Sequence, residues 1–141
     1  DFYLTGIKLE FGDTATDWQF EEYTTKLNRC KRYYQQHDLQ ATVGPTGGSW
    51  SGVESGCVAY LQPSMRDAPS FAHSGNAGDY RWQKGDGATG YESVSAIAIG
   101  SGVTKDYVRL EVTHSGNTNV GDHGWLASAS GVKPLKFSAE I

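Results

Sequence analysis

The residues that could carry out acid–base or nucleophilic chemistry are spread thinly along this chain of 141 residues. No serine or cysteine nucleophile motif accompanies any of its four histidines, His37, His73, His114 and His123. Asp122 and His123 are adjacent in sequence, which is typical of a polar turn and defines no catalytic geometry. Glycoside hydrolysis requires two carboxylates at a set separation, and no pair stands out among the 16 acidic residues. We therefore predict no catalytic residues and no enzyme activity.

A glycine-rich stretch at 85–90 is the kind of loop from which calcium takes oxygen ligands. Asp79, Asp86 and Glu92 lie in it or beside it. Their spacing matches no calcium-binding motif, so the pattern favours an ordinary turn. No metal and no cofactor is therefore predicted.

The two cysteines, Cys30 and Cys57, fall in a predicted helix and a predicted strand. Neither a CxxC spacing nor paired histidines indicate a zinc site. We interpret the cysteines as two buried free thiols. A disulfide stays open, because the sequence does not place the two sulfur atoms.

Aromatic side chains suit contact with a sugar, because Trp and Tyr combine an apolar ring with a polar edge. The C–H faces of a sugar pack on such rings, and its hydroxyls bond to short polar side chains. The predicted glycan-binding residues are Trp50, Tyr80, Trp82, Tyr91 and Trp125, with Asp79, Asp122 and His123 as polar partners. The alternative is that a ring such as Trp82 or Trp125 fills the core.

Composition excludes several other classes of protein. The formal net charge of −4 argues against a nucleic-acid binder and against a polybasic membrane-surface protein. No run approaches the roughly 18 apolar residues of a membrane span. No signal peptide is visible at the first residues, and we interpret the chain as a piece of something longer. Its 18 glycines, 8 Tyr, 5 Phe and 4 Trp favour an all-β fold.

The hydrophobic pattern predicts one short helix in a mainly β chain. Residues 3–11 alternate as a half-buried strand, and an irregular arm follows. Thr24 or Thr25 can cap a helix whose apolar stripe includes Leu27 and Cys30. Further strands are predicted at 41–43, 56–61, 70–73, 80–82, 93–99, 107–114 and 135–141. We therefore expect an assembly module at 1–36 followed by a head at 37–141, an antiparallel, jelly-roll-like β-sandwich.

Three N-terminal stretches resemble a recurrent module of phage tail fibres: LTGIKLEFG at 4–12, TATDW at 14–18 and LNRCKRYYQ at 27–35. This resemblance covers about the first quarter of the chain and is specific in its order and spacing. PSMRDAPSF at 63–71 and LKFSAEI at 135–141 are similar to segments of the heads that follow this module. Between these anchors the resemblance is weak, especially around Trp50 and at 75–90.

The resemblance implies a homotrimeric fibre tip of the virion, joined to an upstream fibre shaft. Its role would be attachment to the host bacterial surface, through a surface polysaccharide or another receptor. The expected trimer interface consists of Trp18, Phe20, Leu27, Cys30, Tyr33 and Tyr34. The alternative for the helix residues among them is packing against the chain's own sheet. Two alternatives remain: the trimerising cap of a polysaccharide-degrading tailspike, and a structural foldon without a ligand.

Overall fold

The computed structural model describes residues 11–14, 16–17, 20–42, 44–85, 90–116 and 118–140. In these parts of the chain one α-helix, α1 (Tyr23–Lys31), precedes nine strands, and a 3-10 turn (Ala77–Asp79) lies between the fourth and fifth strands. The strands are β1 (Tyr34–Leu39), β2 (Thr46–Ser49), β3 (Glu54–Tyr60), β4 (Ser70–Ala72), β5 (Tyr80–Lys84), β6 (Tyr91–Ile99), β7 (Tyr107–His114), β8 (His123–Ser128) and β9 (Lys133–Ser138). The strand predicted at 3–11 lies outside the described residues except for Phe11, and Trp18 lies outside them as well.

Six of the strands form a closed antiparallel barrel in the order β2-β3-β7-β6-β5-β8. The other three form a second antiparallel sheet in the order β1-β9-β4, with β9 in the centre. A mainly β, antiparallel chain with one short helix is therefore confirmed. The strands predicted at 107–114 and 93–99 are confirmed almost residue for residue as β7 and β6.

Alternating side chains build the barrel interior. On β7, Val108, Leu110 and Val112 are buried, as the period of two predicted. Trp82 of β5 and Leu126 of β8 are fully buried in the same hydrophobic cluster. Burying one large apolar side chain contributes about 1.5–3 kcal/mol. Burial on its inner face therefore stabilises the barrel wall that positions the outward side chains.

The three-stranded sheet shares this hydrophobic cluster with the barrel. Phe137 of β9 is fully buried, and its ring centre lies 5.7 Å from that of Phe71 on β4. Gln35 of β1 ties the sheet to its neighbours, since its side-chain amide donates to the carbonyls of Lys31 at 3.1 Å and Pro63 at 2.7 Å. The end of α1 is thereby fixed to the body of the protein.

The sequence pattern failed for polar and glycine-rich strands. The strand expected at 41–43 is wrong for its described part, where the first two residues form a turn. β1 was not predicted because its sequence YQQHDL buries only Gln35 and Leu39. β2, with the sequence TGGS, has little intrinsic β preference and is held by its pairing with β3 and β8. The predicted domain boundary after residue 36 falls inside β1.

The two cysteines are both free thiols, but their environments differ. Cys57 is buried on β3, and burial raises the pKa of its thiol to about 12. Cys30 is exposed on α1, so its predicted burial is wrong within a single chain. The reason is that no residue of α1 is buried by the rest of the chain.

Candidate functional site

Outward-facing residues of β3, β7 and β6 lie side by side on one wall of the barrel. Because side chains alternate between the two faces of a strand, the neighbours of buried Leu110 and Val112 on β7 point away from the interior. Strand register then aligns two outward rows across the wall, Gly56–Glu111–Ala98 and Glu54–Thr113–Ala96. Arg109 lies one step further along β7, opposite Val58.

The indole ring of Trp50 lies over this wall, held by the turn between β2 and β3. Its backbone N–H donates to the carbonyl of Glu54 at 3.1 Å, and its indole Nε1 donates to Glu54 Oε2 at 3.3 Å. The guanidinium carbon of Arg109 lies 4.9 Å from the centre of the ring, a cation–π contact. A Cβ atom added at Gly56 would be 2.1 Å from ring carbon Cζ3, so only glycine fits beneath the ring. Trp50 nevertheless remains 36% exposed.

Beside this ring lies a groove of about 310 Å³, hereafter the Trp50 groove. It is lined mainly by Trp50, Glu54, Ala96, Ala98, Arg109 and Glu111. The small side chains of the two alanines form one side of the groove, and the aromatic ring and the charged side chains form the other. Among the described residues, no carboxylate forms an ion pair with Arg109. Its guanidinium lines the groove beside the Trp50 ring.

A second groove, of about 610 Å³, lies on the wall formed by β2, β8 and the end of β5. Its lining is mostly glycine backbone with the side chains of Thr46, His123 and Trp125, and we call it the Trp125 groove. The indole Nε1 of Trp125 is buried, and no described residue accepts a hydrogen bond from it. In the strand register, Gln83 of β5 lies between Tyr91 of β6 and Trp125 of β8. The guanidinium carbon of Arg81 lies 4.8 Å from the centre of the Tyr91 ring.

The structure thus divides the predicted glycan-binding residues among several places. Trp50 lies in one groove, and His123 and Trp125 lie in the other. Asp122 closes a turn, where its Oδ2 accepts from the backbone N–H of Asn119 at 2.7 Å. Asp79 is paired with Lys133 at 3.3 Å. A hydrogen bond from Ser74 is the main cause that lowers the pKa of Asp79, and Lys133 adds to it.

The prediction that Tyr80 and Trp82 are exposed rings that stack on a sugar is wrong. They occupy inward positions of β5 and are 1% and 0% exposed. The hydroxyl of Tyr80 donates to the carbonyl of Pro134 at 2.7 Å, inside the protein. The ring of Trp82 stacks nearly parallel to His114, with 6.3 Å between ring centres. The alternative that Trp82 fills the core is therefore correct.

Sequence reasoning did not select Glu54, Arg109 or Glu111 as site residues. A signal for two of them was present, because Arg109 and Glu111 alternate with the buried residues of a strongly predicted strand. The glycine at position 56 was a second signal, since an isolated glycine in a strand often marks the close approach of another group. What the sequence did not show was that Trp50 supplies that group.

A buried chain of hydrogen bonds contains the serine–histidine contact that is nearest to a catalytic geometry among the described residues. Ser55 Oγ lies 2.9 Å from His114 Nε2 and 2.7 Å from Ser49 Oγ. The backbone N–H of Gly116 donates to His114 Nδ1 at 3.4 Å, so the ring proton belongs on Nε2 and is donated to Ser55. A general base would have to accept from the serine instead. Ser55 is also 0% exposed, which keeps a substrate away from it.

Two of the acids considered for a cation are bound to lysines. Asp79 pairs with Lys133, and Glu92 pairs with Lys84 at 3.2 Å. Asp86 lies outside the described residues. Within the described ranges, no three His, Cys, Asp or Glu side chains are grouped so that they could hold a metal ion. No helix in the same ranges is long and apolar enough to cross a membrane.

The apolar residues on and around α1 are exposed in the single chain. Tyr23 and Leu27 are 73% and 36% exposed, and Tyr33 and Tyr34 are 43% and 44% exposed. Phe20, just before the helix, is 85% exposed. With exposed Cys30, these residues form a continuous segment of the sequence that the rest of the chain buries little.

Comparisons of the chain with known protein families, with curated proteins and with solved structures found no match. The resemblance of its first quarter to tail-fibre modules therefore stays a prediction from the sequence.

Proposed function

We propose that the chain is the distal domain of a tailed-bacteriophage tail fibre, which attaches the virion to the host surface by binding a surface glycan. It is a homotrimer at the fibre tip, joined to an upstream shaft. In this proposal the barrel is a flattened, jelly-roll-like sandwich, with β3–β7–β6 as one face and β2–β8–β5 as the other. The role of the domain is binding rather than catalysis.

The observation that carries this proposal is the Trp50 groove. A large aromatic ring is fixed at the surface by a hydrogen bond to Glu54, by Arg109 and by a glycine platform. Such a fixed ring costs little conformational entropy on binding, and this is the property that makes Trp effective in recognition sites. One groove of this size gives weak affinity. Three copies per fibre tip would raise it through effective concentration.

Two observations support the trimer. A helix of nine residues is marginal by itself, and α1 buries none of its residues in the protomer. Its exposed row includes Tyr23 and Leu27, with Tyr33 and Tyr34 following the helix. Copies of the same helix around a three-fold axis would cover this row. Light scattering at micromolar concentration tests the assembly, with an expected mass three times the 15.3 kDa of one chain. A monomer mass would refute it.

The attachment function is tested on an array of purified bacterial surface polysaccharides. We expect the chain to bind a subset of them and to leave the bound polysaccharide at its original length. Binding to none would refute the proposal and favour a structural foldon. Shortening of the polysaccharide would favour an enzyme of the tailspike class.

A further inference from the structure

We propose that the Trp50 groove is the sugar-binding site and that its ligand is a neutral pyranose ring. The ring stacks on Trp50, and its hydroxyls bond to Glu54, Glu111 and Arg109. This inference rests on the proposed attachment function and adds to it a place, a ligand class and a role for each side chain.

The first argument is that the position of Trp50 is specified by several residues that gain little from it structurally. Glycine weakens the interior of a strand, yet position 56 must be glycine for the ring to lie where it does. The ring covers no part of the barrel interior, since the buried cluster lies on the other face of β3. An exposed indole held in this way is a platform for something that arrives from outside.

The second argument concerns the charges around the ring. Glu54 and Glu111 each bring a negative charge to the groove, and Arg109 brings one positive charge. Their sum is −1, and the whole chain carries −4. An acidic sugar or a phosphate would meet net repulsion. A neutral sugar meets both acceptors and donors, because each of its hydroxyls can donate to a carboxylate and accept from the guanidinium.

The third argument is size. The groove measures about 310 Å³, at the lower end of the roughly 300–1,000 Å³ of small-molecule sites. The small side chains of Ala96 and Ala98 on β6 leave this space open. The Trp125 groove is larger, but its described lining holds no carboxylate or guanidinium side chain to orient hydroxyls. It is therefore the natural internal control.

Binding is measured with the full chain by calorimetry and by NMR titration, against methyl glucoside, methyl galactoside, methyl mannoside and glucuronate. The polysaccharide that the array identifies is titrated in parallel. We expect at least one neutral glycoside to bind and glucuronate to bind at least tenfold more weakly. Trp50→Ala and Arg109→Gln should each weaken binding of the polysaccharide about tenfold or more, as loss of a central recognition residue does. Ala98→Phe, which fills the groove, should abolish binding.

Trp125→Ala is the matched control, because it removes a tryptophan from the other groove. It should leave the affinity within about twofold, and thermal melting should show that every variant is folded. If the polysaccharide binds Trp50→Ala as well as it binds the original chain and Trp125→Ala loses affinity, the site assignment is wrong while the attachment function stands. Tighter binding of glucuronate overturns the ligand class. Absence of binding by the original chain to every polysaccharide refutes both proposals.

Discussion

Replacing Gly56 by alanine should separate the stability of this protein from its sugar binding. A Cβ atom at position 56 would lie 2.1 Å from Cζ3 and 2.4 Å from Cη2 of Trp50. Carbon atoms pack at about 3.5–4.0 Å, so the ring must move by more than 1 Å. The ring is partly exposed and belongs to the first residue of the turn between β2 and β3, so it can swing outward instead of forcing the sheet apart.

The free energy of unfolding should change little in Gly56→Ala. Displacing the ring loses the contact with Arg109, worth about 0.5–1 kcal/mol at a partly exposed site, and the hydrogen bond to Glu54, worth about 0.5–1.5 kcal/mol. Alanine in place of glycine in a strand returns about 0.5–1 kcal/mol. The net change is therefore a loss of at most about 2 kcal/mol. Affinity for the glycan should nevertheless fall about tenfold, because the stacking platform has left its position.

Unfolding in urea measures the free energy of unfolding, and titration with the polysaccharide that the array identifies measures the affinity. Gly48→Ala is the matched control, since Gly48 pairs with Gly56 across the β2–β3 ladder and its added Cβ would meet only a backbone oxygen at 3.6 Å. It should bind like the original chain. If Gly56→Ala unfolds several kcal/mol more easily, the ring is a structural element and the reasoning fails. The reasoning also fails if acrylamide quenching shows that the Trp50 indole has moved while the affinity for the polysaccharide is unchanged.

Three other variants test the barrel, the helix and the buried histidine. Gly47→Ala should lower the free energy of unfolding by more than about 3 kcal/mol in urea, because its Cβ meets the carbonyl oxygen of Gly56 in the adjacent strand. Leu27→Asp should give a monomer by light scattering, with an unchanged far-ultraviolet circular dichroism spectrum of the strands. Burial lowers the pKa of His114 despite the opposing charge of Glu92, so its ring gains a proton more readily in the unfolded chain. Stability should therefore fall as pH drops below 6.5, and His114→Asn should flatten this slope in melting curves.

The elements that the sequence predicted well are those whose energy comes from their own side chains. β7 alternates apolar and polar residues along its whole length, and its period of two is sufficient to define both its bounds and its buried face. β1 and β2 are different, because they contain Gln, Gly, Ser and His in place of apolar runs. Their conformation is imposed by neighbours such as β9 and β3, to which they are paired. A pattern within a single strand contains no information about such a partner.

The candidate site shows the same limit in its chemistry. Aromatic content correctly indicated Trp50 as an outward ring, but it equally indicated Trp82, because both are tryptophans in a glycine-rich, polar sequence. The two differ in where the chain places them. Trp82 is an inward-facing residue of β5, whereas Trp50 lies in the turn between β2 and β3 and its ring folds back over Gly56. Arg109 becomes a site residue only because that fold-back brings an indole within 4.9 Å of it. The site therefore depends on a glycine as much as on its charged and aromatic residues, and position 56 is where a loss of binding without a loss of fold should first arise.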